Sequence, residues 1–208
     1  ALPISPLTHG QDLDRIPTLL VYGPLALVKG LETVVHAAVS LMEEEVEDEP
    51  WREKMRIKFI GAESSGPYDA PQPVKEHLLA IIPDELAGRF VFVHEIGRGE
   101  LTQRLSNVHA AIVASSFETF GLVPHELASL KTPLIISDIP AFREHFSEEN
   151  AFIFAAQDAQ SLAEAIRRSF SSPDKLSKLR SLPPLKYQDS VYTYANKTLW
   201  DTARGTSD

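Results

Sequence analysis

Residues 110–126 read AAIVASSFETFGLVPHE, and the rest of the chain is best understood from this stretch outward. The apolar run 110–113 has the length of a buried strand, and VPHELASL (123–130) has the character of a helix with Pro124 suited to its first turn. A strand that empties through a glycine turn into a helix is half of a βαβ unit. Glu118 stands before the turn and Glu126 about one helical turn beyond it. Two readings are open at this point. Either the acids are solvated charges on an ordinary connection, or the turn is a site that holds hydroxyl groups and a phosphate.

The same alternation recurs on both sides. TLLVY (18–22), RIKFIG (56–61), RFVFV (89–93), PLIIS (133–137) and AFIF (151–154) are further short apolar runs. Between them lie LETVVHAAVSLMEEE (31–45), VKEHLLAII (74–82), ELTQRLSN (100–107) and AQSLAEAIRRSF (159–170), which carry helical periodicity. In the first helix Leu31, Val34, Val35, Ala38 and Met42 fall on one face. Strands separated by helices imply right-handed crossovers and a parallel sheet. The expected architecture is an α/β, doubly wound, mostly parallel six-stranded Rossmann-like sheet with helices on both faces. Residues 1–17, with three prolines, read as a lead-in, 18–186 as the domain, and 187–208 as a C-terminal helix and tail with Tyr192, Ala195, Leu199 and Trp200 as apolar contacts.

Composition narrows the function classes. At 208 residues, 43% hydrophobic and 24% charged, the chain is an ordinary globular one. No apolar stretch approaches the roughly 20 residues that a membrane span needs. The absence of cysteine excludes disulfides and thiolate metal sites, which fits a reducing compartment, and a cytoplasmic location is expected. The net charge is −9, no basic stripe is interleaved with aromatics, and nucleic acid is not expected as a partner. The acid run EEEVEDE (43–49) reads as a solvated helix end. The seven histidines show no paired metal-ligand spacing, so no metal is expected, and His125 should project away from Glu126. There is no Walker loop, no Gly-x-Ser-x-Gly and no Gly-x-Gly-x-x-Gly; IGRGE (96–100) lacks the third glycine.

Any bound phosphate must then be held locally. In doubly wound sheets ligands lie beyond the carboxyl ends of the strands, which selects loops 23–30, 61–70, 94–99, 115–123 and 137–143. The amides of Gly121, Leu122 and Val123 would lie at a helix N-terminus, where unsatisfied donors and the helix dipole favour an anion. Lys29, just before the first helix, is a compact cation able to reach a phosphate at that edge. A carboxylate beside a phosphate is unfavourable, so Glu118 and Glu126 suit the recognition of hydroxyl groups.

From residue 18 to 170 the chain resembles the C-terminal, donor-binding half of a family 4 retaining glycosyltransferase of the GT-B fold. The resemblance rests on LLVYGPLALVKGLETVVHA, IKFIGAE, FVHEIGRGELTQRLSNVHAAIVASSFETFGLVPHELASLKTPLIISDIPAFREHF and AFIFAAQDAQSLAEAIRRSF, in that order. The central block carries a Glu-x7-Glu motif as Glu118 and Glu126 around Phe120-Gly121; Pro133, Ser137, Asp138 and Glu144 also fit. The resemblance implies that Glu126 binds the ribose and that Glu118, the catalytic position, faces the donor sugar. It places Phe120, Gly121, Leu122 and Val123 against the sugar and distal phosphate, Lys29 against the diphosphate and Ile96 against the base. It also implies that a nucleotide-diphosphate sugar is the donor substrate, that no cofactor or metal is needed, and that the anomeric configuration is kept.

Several positions depart from the family pattern. Pro24 stands where an arginine is usual, Lys131 and His94 where glycines are common, and Ala114 where proline is common. Arg98 or Arg143 is expected to supply the lost cation. The acceptor-binding domain, normally N-terminal to this half, is expected to precede residue 1, so the isolated chain should bind nucleotide without transferring sugar. One rival is a transferase-like module whose catalysis has decayed, with Pro24 as its chief support. Another is a GT-B sugar epimerase or phosphorylase, against which the Glu118–Glu126 spacing argues.

Overall fold

The computed structural model describes residues 16–46, 48–63, 73–94, 96–119 and 121–183. The lead-in up to residue 15, most of loop 61–70, Phe120 and the expected C-terminal helix lie outside the described residues.

Six strands form one sheet: β1 (Thr18–Tyr22), β2 (Arg56–Ile60), β3 (Phe90–Val93), β4 (Ala110–Val113), β5 (Leu134–Ser137) and β6 (Phe152–Phe154). Their order is β3-β2-β1-β4-β5-β6 and every pairing is parallel. The order reverses between β1 and β4, so the crevice at a topological switch point opens beyond Tyr22 and Val113. The sequence alternation translates directly into layers, because successive side chains of a strand face opposite sides. Leu19, Ile57, Phe59, Ala110, Ile112 and Ile135 join one apolar cluster with α1 (Leu31–Glu43) and α7 (Ala159–Phe170). Leu20, Ile60, Ala111, Val113, Leu134 and Ile136 join a second with α4 (Arg98–Leu105), α5 (Leu122–Ser129) and α6 (Pro140–Arg143). Both faces of the sheet are thus covered, as an all-parallel sheet requires.

Helix α1 shows where periodicity alone falls short. Its buried residues are Leu31, Val34, Val35, Ala37, Ala38 and Leu41, while Met42 is half-buried at the margin. The stripe is wider than the expected face because α1 packs on the sheet and against α7 together. Three short helices, α2 (Trp51–Lys54), α6 and α8 (Pro173–Ser181), were not anticipated, whereas α3 (Val74–Ala80) falls inside the expected 74–82. The α8 signal was present as Ser172-Pro173-Asp174, with proline at the first helical position.

The acid run is not simply solvated, which corrects the expectation for residues 43–49. Glu44 binds both Arg52 and Arg167, and Glu49 lies 3.2 Å from Arg52 and 3.6 Å from Arg167. Arg52 is 4% exposed, so these carboxylates neutralise a buried guanidinium. Hydrogen bonding to Arg167 holds the Glu44 carboxyl below the usual carboxylate range. Beside this network Trp51, Phe170 and His109 form a continuous stack, with centroids 4.0 and 3.7 Å apart. It fastens α2, α7 and the entry to β4 at the amino edge of the sheet, opposite the crevice.

Candidate functional site

The crevice is built by two segments that meet residue by residue. The chain leaves β1 at Gly23, passes through a 3-10 turn at Leu27–Lys29 and enters α1 at Gly30, which has φ 66°. A side-chain carbon at Gly30 would lie 2.0 Å from the Ala114 carbonyl oxygen, so only glycine permits this approach. On the other side of Lys29, the Val28 carbonyl accepts from the Ser116 amide at 2.9 Å and from the Ser116 hydroxyl at 3.1 Å. Lys29 is therefore flanked by neighbours whose backbones lock onto residues 114 and 116.

That stitching brings Lys29 to Glu118, 89 positions away in sequence. Lys29 Nζ donates to Glu118 Oε1 at 2.6 Å, and the side chains are 27% and 15% exposed. The Ser115 hydroxyl donates to the same oxygen at 3.0 Å. Ser115 is 2% exposed, and its carbonyl accepts from the buried Ser137 hydroxyl at 2.7 Å. Lys29, Glu118 and Val123 line one cleft with Gly23, Pro24 and Ala114. Its floor offers about 20 Å³, the space of one water molecule.

Gly121 has φ 59° and serves as the N-cap of α5, which begins at Leu122, one residue earlier than expected. A side-chain carbon there would meet the Phe142 ring at 2.7 Å. None of the amides of Gly121, Leu122 and Val123 donates to a carbonyl among the described residues. These are the free donors of a helix start, and Pro124, next along, has none to offer. Glu126 is half-buried on the following turn, and His125 is buried at 3% exposure against His145 and Phe146. Burial pushes His125 down to about 4. At its far end α5 closes with the Thr132 amide bonded to the Leu127 carbonyl and the Lys131 amide to that of Ala128. This pairing demands a left-handed residue, and Lys131 occupies it at φ 59° where the family pattern has glycine.

The other expected positions are placed as follows. Ile96, half-buried, packs against the second apolar cluster and is not among the residues lining the cleft. Leu122 is 41% exposed at the start of α5, and Phe120 lies outside the described residues. Arg98 opens α4, but its side chain is likewise outside them. Arg143 forms a two-pronged pair with Asp138, whose Oδ2 receives its Nη2 at 2.8 Å. This hydrogen bonding holds the Asp138 carboxyl below its usual range, so the Arg143 charge already has a partner. Among the described residues no group of three or more His, Asp or Glu is arranged to hold a metal ion, and no helix is long and apolar enough to cross a membrane. Sequence reading gave Ser115 no role and noted Ser137 only as fitting the family pattern. The further signal was position, each at the carboxyl end of a strand beside the switch point.

Comparisons with known proteins agree with this fold. The family model described as Glycosyl transferases group 1 matches residues 12–181. The O-antigen chain mannosyltransferase RfbU of Salmonella typhimurium is 32% identical over 101 residues, which is 49% of this chain and 28% of that protein. This chain thus matches less than a third of that relative's length. The C-terminal domain of a glycosyl transferase group 1 family protein (LpcC) from Francisella tularensis has a TM-score of 0.63 at 20% identity, covering 85% of each chain. An Anabaena protein solved in complex with UDP and glucose has a TM-score of 0.65 at 16% identity, over 94% of this chain and 50% of its own. At these identities the structural likeness speaks to the fold.

Proposed function

The chain belongs to the group 1 glycosyl transferases, and from that premise we propose that it is the donor-binding half of a retaining family 4 enzyme that moves a sugar from a nucleotide diphosphate to an acceptor hydroxyl. The observation that carries this reading is the crevice at the switch point, which Lys29, Glu118 and Val123, from the first turn of α5, line together. The amides of Gly121, Leu122 and Val123 take the distal phosphate and the adjoining sugar, and Lys29 takes the diphosphate. Glu126 accepts from the ribose hydroxyls. Glu118 faces the donor sugar near its reacting carbon.

In the reaction the bond between the anomeric carbon and the diphosphate oxygen breaks, and charge develops on the departing diphosphate. Lys29 and the α5 amides are fixed positive potentials at the place where that charge appears, so they stabilise the transition state without a metal ion. The acceptor hydroxyl bonds to the anomeric carbon on the face the diphosphate leaves, and its proton passes to the leaving oxygen. The acceptor is held by a second domain, so this chain alone binds nucleotide and transfers no sugar. The other reading, a decayed binding module, is favoured by Pro24, which lines the cleft where a guanidinium would grip the diphosphate.

Calorimetric titration of UDP, GDP and ADP into the chain, with Glu126→Ala as control, tests the proposal. Saturable binding of one nucleotide, weakened at least tenfold by the substitution, is the expected result. No binding of any of the three would overturn donor recognition and leave the decayed module.

A further inference from the structure

Glu118 is held by two protein donors on one oxygen and none on the other. Oε1 accepts from Lys29 at 2.6 Å and from Ser115 at 3.0 Å, while Oε2 has no hydrogen-bond partner among the described residues. A carboxylate pinned at one oxygen by two converging donors cannot roll about its terminal torsion, so its second oxygen keeps a fixed direction. When a diphosphate is present, however, Lys29 has a more highly charged partner to serve. The Ser115 hydroxyl is then the one donor to Glu118 left among the described residues.

We propose that Ser115 is a positioning residue, which keeps the Glu118 carboxylate aimed at a hydroxyl of the donor sugar after Lys29 has turned to the diphosphate. The structure equips it for that role. Three consecutive residues around it are anchored separately: the Ala114 carbonyl against Gly30, the Ser115 carbonyl by the Ser137 hydroxyl, and the Ser116 amide and hydroxyl by the Val28 carbonyl. With the main chain held on both sides and the side chain 2% exposed, the Ser115 hydroxyl has one acceptor within reach that carries charge. Hydrogen bonds to ionised groups are the strong ones, and this one, with the Ser137 hydroxyl on the Ser115 carbonyl, ties Glu118 to the end of β5. Ser137 is the second member of the relay. It holds the backbone that carries the hydroxyl and does not itself meet Glu118.

The inference rests on the donor-binding reading, and its test separates the two. The Ser115 hydroxyl bonds Glu118 both before and after Lys29 changes partner, so its loss largely cancels when a bare nucleoside diphosphate binds. It does not cancel when Glu118 must also meet a sugar. Each bare diphosphate and its sugar-bearing form (UDP with UDP-glucose, GDP with GDP-mannose, ADP with ADP-glucose) would be titrated by calorimetry into the chain and into Ser115→Ala. For the pair the chain binds, we expect Ser115→Ala to weaken the nucleotide sugar about five- to tenfold and the bare diphosphate less than twofold. Ser137→Ala, which leaves the 115 hydroxyl in place but loosens its backbone, should show the same split at smaller size; thermal unfolding of both variants checks that the fold is retained. Equal loss for both ligands, or no loss for the sugar, overturns the positioning role while leaving donor binding intact. Failure of the unaltered chain to bind any of the six ligands overturns the donor-binding reading and the inference with it.

Discussion

Removing the charge of Glu118 should tighten binding of the bare nucleoside diphosphate, although it removes a residue of the proposed site. In the structure Lys29 is already engaged, its ammonium 2.6 Å from Glu118 Oε1. A diphosphate that recruits Lys29 must break or share this bond. Net contributions run at about 1.5–3 kcal/mol for well-buried hydrogen bonds to charged groups and about 0.2–1 for exposed pairs. With Lys29 27% and Glu118 15% exposed, the pair falls between these limits, at about 1–1.5 kcal/mol. Glu118→Gln keeps the shape of the side chain and releases that energy to the ligand, so affinity for the diphosphate should rise about five- to twelvefold. Calorimetry on the unaltered chain, Glu118→Gln, Lys29→Ala and the double variant completes a thermodynamic cycle. The gain must vanish in the Lys29→Ala background, because no lysine remains to be released. A gain of the same size in that background would show only general repulsion between carboxylate and phosphate, and no gain at all would mean that Lys29 does not serve the diphosphate. Either result refutes the reasoning.

Three further outcomes follow from the geometry. Gly30→Ala places a side-chain carbon 2.0 Å from the Ala114 carbonyl in a left-handed residue; it should cost at least about 2 kcal/mol, lower the melting temperature by about 4–8 °C and abolish nucleotide binding, read by calorimetry and thermal unfolding. Lys131→Gly relieves a left-handed lysine at the α5 terminus, and after the entropy lost to the unfolded chain it should stabilise by about 0.5–1 kcal/mol, seen as a rise of about 1–4 °C. The third concerns pH. Burial pushes His109 down to about 3 and His125 down to about 4, both below the ordinary histidine value of about 6.5. The unfolded chain then binds protons that the folded chain refuses, so their contribution is complete above about pH 6.5 and is lost as pH falls towards 4 and 3. Melting temperature should climb between pH 4.5 and 6.5, with each histidine adding up to about 1.4 kcal/mol per pH unit, and His109→Phe, which keeps an aromatic ring against Phe170, should flatten the slope.

What the sequence disclosed, and what it withheld, divides along a physical line. Strand β1, strand β2 and helix α7 were legible almost to the residue, because apolar alternation and helical periodicity are local consequences of burial. The carboxyl-end loops followed from the doubly wound pattern, whereas the strand order that puts the switch point between β1 and β4 did not; the glycines of the crevice stood out because φ > 0 leaves few other choices. Pairings between distant residues were not legible. Nothing in EEEVEDE announces that Glu44 and Glu49 will meet Arg167 from α7, since that contact exists only once α1 and α7 pack together. The Lys29–Glu118 bond spans 89 positions and depends on the close approach at Gly30. Ser115 carries no motif of its own and Ser137 only a fit to the family pattern; each gains its role from the acceptor beside it. Lys131 is the instructive intermediate, visible in sequence as a departure from glycine and explained in structure by the left-handed terminus of α5.

The departures bear unequally on function. Lys131 affects stability at the far end of α5 from the amides, and its side chain is exposed away from the crevice. Pro24 is different, because it lines the same cleft as Lys29 and Glu118 and donates no hydrogen bond. Arg143 is a poor replacement as the structure stands, since its two-pronged pair with Asp138 would have to open before it could serve a phosphate. Among the described residues, the positive potential proposed for the crevice rests on Lys29 and the α5 amides. Lys29 is in turn restrained by Glu118, so the two side chains largely offset each other's charge. If the diphosphate binds as proposed, its affinity depends on how readily one ion pair 2.6 Å long gives way, and a Pro24→Arg substitution would relieve that dependence by adding a donor that Glu118 does not already hold.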